Sequence, residues 1–350
     1  MKRLWAIGAS VRALTQSLLA SGYEVLAADL FNDFDLQQIA ATQRIIDFPH
    51  DLLRLVKSVD ADGFVYTGGL ENYPELIDEL ADKLPLLGNS GSVLRRVRGV
   101  ALLNAVLQRG GFQMPPMVQD VPLDTQQRWL RKSADSSGGL RIGWAKRDGG
   151  PLKPGEYYQA FIEGTAYGAS FLATDDDVQL LGIAQQLTAC PWTNAPAFHY
   201  AGSIGPLRLP DELHQEIERL GHWLTSEFEL CGWFGIDVVI DDQQRLWVLE
   251  INPRYTASME VLQPGEGMRG KAILYAKRQI QVTEELTQYF MSRGDIADIP
   301  CPGSELSAGA PILSMFVHGE SAVALQVGLQ NQALELQAKL RAYEVPGASP

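Results

Sequence analysis

The chain has 350 residues, of which 46% are hydrophobic and 20% charged, with a net charge of −13. That length supports two or three domains with a sizeable core. The acidic balance excludes a nucleic-acid backbone as a general partner, because such a partner demands a basic surface. Three cysteines, Cys190, Cys231 and Cys301, lack the short spacings of a disulfide framework or a zinc site, so a reducing cytoplasm is the expected compartment. The start MKRLWAIGAS carries too short an apolar run for a signal peptide, and no stretch approaches the ~18 apolar residues of a membrane span. A soluble, cytoplasmic protein with no membrane partner is expected.

In chain order, RLWAIGAS reads as a short strand ending in glycine, and VRALTQSLLASG follows with helical spacing. YEVLAADL and DGFVYTGG read as strands, YPELIDELADKL as an amphipathic helix and PLLGN as a further short strand. This alternation predicts a parallel sheet with flanking helices over residues 1–97. VRGVALLNAVLQRGG is a helix closed by glycine, and FQMPPMVQDVP is a proline-rich connector. The texture then changes. RWLRKSADSSGGLRIGWAK reads as two strands around a Gly/Ser loop, and GEYYQAFIEGTAYGASFLAT and VQLLGIAQQLTA continue as strands. DELHQEIERLGHWLTSEFEL is a clear helix, and GWFGIDVVI and RLWVLEI are strands joined through DDQQ. The tail segments KAILYAKRQIQV and GAPILSMFVHG read as short strands before a last helix, ESAVALQVGLQNQALELQAKLRAY.

The chemistry concentrates in LWVLEINPRYTAS. Strand alternation puts Val248, Glu250, Asn252 and Arg254 on one face, and Leu249 and Ile251 on the other. A two- or four-residue loop centred on Gln243–Gln244 sets Asp242 against Arg245 and Asp237 against Glu250. Opposed residues have Cβ atoms about 4.5–5.5 Å apart, so the two carboxylates repel. A divalent cation between them removes the conflict. Asn252 adds a neutral oxygen, and two carboxylates plus an amide suit Mg²⁺, whose remaining ligands are water and phosphate oxygens. The Arg254 fork then suits a phosphate. An odd loop length would undo the opposition and leave an ordinary polar strand face.

Other positions carry weaker signals. Lys132 precedes Ser133, Ser136, Ser137, Gly138 and Gly139, small residues whose N–H groups can approach phosphate oxygens; the same residues also fit a plain hairpin loop. Ser10 and Arg12 lie at a helix N-terminus suited to anions. Glu71 and Asn72 follow a strand end at the usual ligand-binding edge of such a sheet. These four are expected to help hold a carboxylate or amine, with capping and solvation as the alternative. Thr256 and Ser258 are expected to face substrate, Glu260 to cap or solvate a turn, and His199 and Tyr200 to be structural. GAS after the first strand, with Asp29 twenty-one residues after Gly8, also suits an NAD-dependent oxidoreductase, but Ser10 and Ala13 replace two glycines of its G-x-G-x-x-G.

Asp237, Glu250 and the E-x-N-P-R that begins at Glu250 resemble the metal-binding signature of the ATP-grasp superfamily, which includes D-alanine–D-alanine ligase, biotin carboxylase and carboxylate–amine ligases. The resemblance implies an α/β (α+β ATP-grasp) fold. Its parts would be a Rossmann-like domain at 1–97, an ATP-grasp core of two α+β subdomains at 98–270, and a β-rich extension with a final helix at 271–350. It implies that Asp237, Glu250 and Asn252 hold Mg²⁺, or Mn²⁺ in its place. It gives Lys132 and the loop residues Ser136, Ser137, Gly138 and Gly139 the phosphates of ATP. Gln159, Ala160, Phe161 and Ile162 resemble the hinge that holds adenine, and Arg254 the arginine that stabilises the acyl-phosphate transition state. Two features depart from the pattern. Ala166 and Tyr167 stand where many relatives carry a ribose-binding acid, with Glu163 instead before the glycine, and the second nucleotide lysine is absent, with Arg98 the nearest replacement.

GASVRA, GGLENYPE and LEINPRYTASMEVL most resemble carboxylate–amine ligases related to tyramine–glutamate ligase, some of them linked to methanofuran- and methanopterin-type one-carbon carriers. The implied activity joins a small-molecule carboxylate to an amine through an acyl phosphate, releasing ADP and phosphate. A homodimer is common among such ligases. A non-catalytic ATP-binding protein on the same fold is the other class.

Overall fold

The computed structural model describes residues 1–345 except 122–125, 135–137, 140, 147–149, 189, 264 and 266. The first sheet holds β1 (Arg3–Gly8), β2 (Glu24–Asp29), β3 (Ala41–Arg44) and β4 (Gly63–Tyr66). It is parallel throughout, in the order β3-β2-β1-β4. Strands β1, β2 and β4 are buried on both faces because helices cover both, whereas the edge strand β3 is polar and largely exposed. Leu4 and Ala6 pack with Leu14 and Leu18 of α1 (Arg12–Ala20) and Leu36 of α2 (Phe34–Ile39). Trp5 and Ile7 pack on the other face with Leu52 of α3 (Leu52–Val56) and Ile77 and Leu80 of α4 (Pro74–Ala81). PLLGN is not a strand but a single bridge, Phe64 to Leu86. Pro85 has no N–H with which to extend a ladder. Helices α5 (Gly91–Val97) and α6 (Val100–Arg109) lead out of this region.

A small antiparallel sheet follows, ordered β5-β8-β6-β7: β5 (Met117–Val118), β6 (Trp129–Ser133), β7 (Gly143–Trp144) and β8 (Glu156–Ala160). The large sheet has eight strands. These are β9 (Thr165–Ala173), β10 (Val178–Thr188), β11 (Tyr200–Gly205), β12 (Gly232–Ile240), β13 (Leu246–Asn252), β14 (Met268–Tyr275), β16 (Ile296–Ala297) and β18 (Pro311–Gly319). Their order is β13-β12-β9-β10-β11-β14-β18-β16. A two-stranded ribbon pairs β15 (Ile280–Gln281) with β17 (Glu305–Leu306).

Helix α7 (Asp211–Phe228) buries Leu213, Ile217, Leu220, Leu224 and Phe228, the helical stripe of its sequence, against Phe171, Phe234, Ile236 and Val238 of the sheet. Helices α8 (Glu284–Met291) and α9 (Ala322–Leu340) cover the other half. The tail differs from the short strands expected of it: β14 and β18 run eight and nine residues. Helix α8 also lies between them, started by Thr283, whose hydroxyl accepts from the Leu286 N–H at 3.2 Å. The three cysteines are free. Among the described residues no helix is long and apolar enough to cross a membrane.

Candidate active site

The hairpin β12–β13 sets the site. Its turn has three residues, an odd number: Ile240 pairs with Leu246, and Asp241, not Asp242, faces Arg245. Opposition of the acids survives because β13 carries a bulge. The register shifts between Asp237 and Val238, leaving Leu249 as the extra residue, so Asp237 pairs with Glu250 after all. The bulge also reverses the alternation. Val248 and Ile251 both join the core with Ile236 and Val238, so Val248 does not share the face of Glu250.

Asp237 is half-buried and tightly held. Gln186 Nε2 on β10 donates to its Oδ1 at 2.7 Å, and Asn252 Nδ2 donates to its Oδ2 at 3.0 Å. Burial first, then the charge of Glu250 and a hydrogen bond to it, push the Asp237 carboxyl up to about 7. Two opposed, half-buried acids are the arrangement a cation would relieve. The donor set therefore fits Mg²⁺ through Asp237 and Glu250. Asn252 can turn its amide oxygen to the same point, though here that oxygen accepts from Arg254 at 3.1 Å. Among the described residues no third His, Cys, Asp or Glu joins the pair.

Beyond β13 the chain bends sharply, with Arg254 N–H donating to Asn252 O at 2.8 Å. Tyr66 and Asn89 of the N-terminal region both donate to Pro253 O, at 3.1 Å each. Tyr255 and Met259 pack into the first sheet's core. The bend is thus clamped to the first sheet, and Arg254 points along its edge to Glu71, with Nε and Nη2 at 2.9 and 2.8 Å from Glu71 Oε1. A Cβ on Gly68 would sit 3.3 Å from the guanidinium carbon, so the bare glycine makes room for it. Burial disfavours the charge of Arg254, but Glu71, then Glu250 and Asp237, more than offset it and raise its pKa. Glu71 Oε2 and Asn72 Oδ1 are buried without a donor. Thr256 and Ser258, both buried, bond each other at 3.0 Å.

Lys132 ends β6 buried, with Nζ 3.2 Å from Gln159 Oε1 on β8, while Gln159 Nε2 has no partner. A buried lysine and an orphaned amide side by side fit the oxygens of a polyphosphate. Tyr157, opposite Lys132, feels Lys132, Glu250 and Arg98 together, which brings these three into one neighbourhood. Arg98 also donates to Ala134 O beside the loop. Ser136 and Ser137 lie outside the described residues. Gly138 and Gly139 both have positive φ, and a side chain on Gly139 would strike Phe198 O. At the hinge, Ala160 N–H and Phe161 N–H donate to Pro116 O and Arg128 O, each at 2.8 Å. Phe161, Ile162 and Glu163 line a cavity of ≈ 420 Å³ together with Arg128 and Asp242.

Two expected residues are committed elsewhere. Arg12 is buried and forks onto Asp298 at 2.9 and 3.0 Å and onto Glu260, so it does not reach the Arg254 cluster. Glu260 caps no turn and is not solvated: it is buried between Arg12 and Lys271, whose Nζ lies 2.6 Å away. Gln186, Tyr157 and Lys271 were not singled out in the sequence. None stands out in its strand, because each has polar neighbours there: Glu156 beside Tyr157, Gln185 beside Gln186 and Arg269 near Lys271.

Residues 101–258 match a family described as the ATP-grasp domain. The chain carries an ATP-grasp domain. A carboxyaminoimidazole ribonucleotide synthase from Aspergillus clavatus, complexed with ATP, superposes with a TM-score of 0.70 at 14% identity, covering 97% of this chain and 99% of that one. A biotin carboxylase from Campylobacter jejuni gives 0.67 at 12%, covering 95% and 91%. An L-amino acid ligase from Bacillus licheniformis gives 0.65 at 12%, covering 96% and 97%. At these identities the likeness is one of fold. No curated protein matches the chain.

Proposed function

We propose that this ATP-grasp enzyme is an ATP- and Mg²⁺-dependent carboxylate–amine ligase that forms an amide through an acyl phosphate. The observation that carries the reading is the Asp237–Glu250 pair, opposed by a bulge and followed at once by Asn252 and the clamped Arg254. Asp237, Glu250 and Asn252 would hold Mg²⁺, which supplies charge neutralisation along the phosphates. Lys132, Gly138 and Gly139 would hold the phosphates, with Ser136 and Ser137 in the same loop. Gln159 to Glu163 would receive the nucleoside. Thr256, Ser258, Glu71 and Asn72 border the place left for substrate.

In the proposed reaction a substrate carboxylate oxygen attacks the γ-phosphorus and ADP leaves. The amine nitrogen then attacks the acyl carbon, phosphate leaves with that carboxylate oxygen, and the nitrogen loses a proton. Arg254 steadies the charge that develops on the transferred group, held in place beforehand by Glu71. The resemblance to tyramine–glutamate ligase puts glutamate and arylalkylamines first among the pairs to try, with precursors of one-carbon carriers next. A homodimer is proposed as well; Val323, Val327 and Leu334 form an exposed apolar line on α9.

Oxygen-18 labelling tests the chemistry. With a labelled carboxylate, one labelled oxygen should emerge in inorganic phosphate for each amide formed. Label retained wholly in the amide and unreacted acid would exclude the acyl phosphate.

A further inference from the structure

A second cavity, of ≈ 640 Å³, opens at the edge of the first sheet, and its lining includes Phe31, Ile273, Leu306, Ile312 and Leu313 as well as Asp33 and Asp298. Around its acidic end stand Asp29, Asp33, Asp35, Glu260 and Asp298, and the buried cations among them are Arg12 and Lys271. Three of the four aspartates are satisfied. Asp29 accepts from the N–H groups of Val11, Phe31 and Asn32 at 2.6–2.7 Å. Asp35 accepts from those of Asp298 and Ile299, at 2.9 Å each. Asp298 is forked by Arg12.

Asp33 differs. It is 6% exposed and lines the cavity, and its carboxylate receives no hydrogen bond or ion pair among the described residues. It precedes α2 yet does not cap it. Arg44 lies exposed on the lining. The Asp33 carboxylate thus opens to the cavity, where a donor on a bound ligand can reach it. The cavity also reaches the reacting edge: Ser10 lines it, Thr67 Oγ1 donates to Ser10 O at 2.9 Å, and the next residue, Gly68, abuts Arg254.

We infer that this cavity binds an apolar primary amine, its ammonium on Asp33 beside Asp298 and its carbon skeleton along Phe31, Leu306 and Ile312. A preformed pocket that joins apolar residues to the carboxylates of Asp33, Asp298 and the exposed Glu305, with Arg44 also on its lining, selects by charge and apolar surface at once. The inference deepens the ligase reading and rests on it in one respect, that the bound amine is the acceptor substrate.

Calorimetry on the full chain without nucleotide tests the site, with 2-phenylethylamine and its neutral counterpart 2-phenylethanol as probes. The amine should bind and the alcohol should bind roughly tenfold more weakly or not at all. Asp33→Asn should lose that preference while keeping its melting temperature. Phe31→Ala, a change at an exposed position, should weaken 2-phenylethylamine more than methylamine. Equal binding of amine and alcohol, no binding of the amine to the wild-type chain, or an Asp33→Asn variant that still prefers the amine would overturn the proposal. ADP release is read in parallel. Amine binding that depends on Asp33 without any amine-dependent ADP release sinks the ligase reading and leaves the pocket. Amine-dependent ADP release with unchanged KM in Asp33→Asn does the reverse.

Discussion

The fold raises the proton affinity of the Asp237 carboxyl. Its pKa rises from the ordinary 3.8 to about 7, by burial and by Glu250 opposite it. Between those values the folded chain keeps a proton that the unfolded chain releases. Stability contributed by this group is therefore complete below about pH 4 and is lost as pH rises towards 7. Mg²⁺ competes with that proton. The melting-temperature gain from Mg²⁺ should be larger at pH 8 than at pH 5.5, and Glu250→Gln should remove the difference. A gain independent of pH would separate the metal from this pair. Glu71 is the other decisive single residue. Glu71→Gln leaves the buried Arg254 charge without its partner, and the expected loss is about 3–5 kcal/mol in a denaturant titration. A loss under about 1 kcal/mol, the range of surface pairs, would mean that Arg254 is not held as described.

At the scale of elements, the bulge in β13 decides the site. Leu249 is the extra residue that the bulge accommodates. Without it Glu250 follows Val248 directly, still opposite Asp237, and Ile251 keeps the core face. Deletion of Leu249 and Leu249→Ala should therefore both retain thermal stabilisation by Mg·ATP. Loss in both variants would give the side chain, not the register, the credit. This element also shows where pattern reading stops. The opposed acids were legible from spacing under an even turn; the turn is odd, and an unseen bulge restores the register. A bulge leaves little trace in a run such as LWVLEIN, where every residue suits a strand. The parallel sheet and the stripe of α7 were legible because their periods are unbroken. Helix α8 was not, since eight residues between strands give barely two turns of pattern.

For the whole molecule, the fold's work is to join distant segments at one edge. Arg254 meets Glu71 across 183 residues, and Arg12 meets Asp298 across 286. Neither pairing has a local sequence signal. For that reason Arg12 and Glu260 were read as free groups at a helix start and a turn, and each is instead buried in an ion network. Asp33 escaped notice for the opposite reason: an aspartate before a helix reads as a cap, and only the assembled cavity shows it to be without a partner. Of the candidate site, Lys132, Asp237, Glu250, Asn252 and Arg254 could be named in advance because a charged or amide side chain inside a strand or at its end is conspicuous. Their neighbours Gln186 and Tyr157 became visible only in three dimensions.

We propose that ATP is cleaved to couple an acid with an amine. The measurement to make is ADP release in the presence of Mg·ATP, with pooled carboxylates and primary amines and Glu250→Gln as control. ADP is expected only when both an acid and an amine are present, with a fall of about a thousandfold in Glu250→Gln. ADP release that needs neither substrate, or that persists in Glu250→Gln, would contradict it.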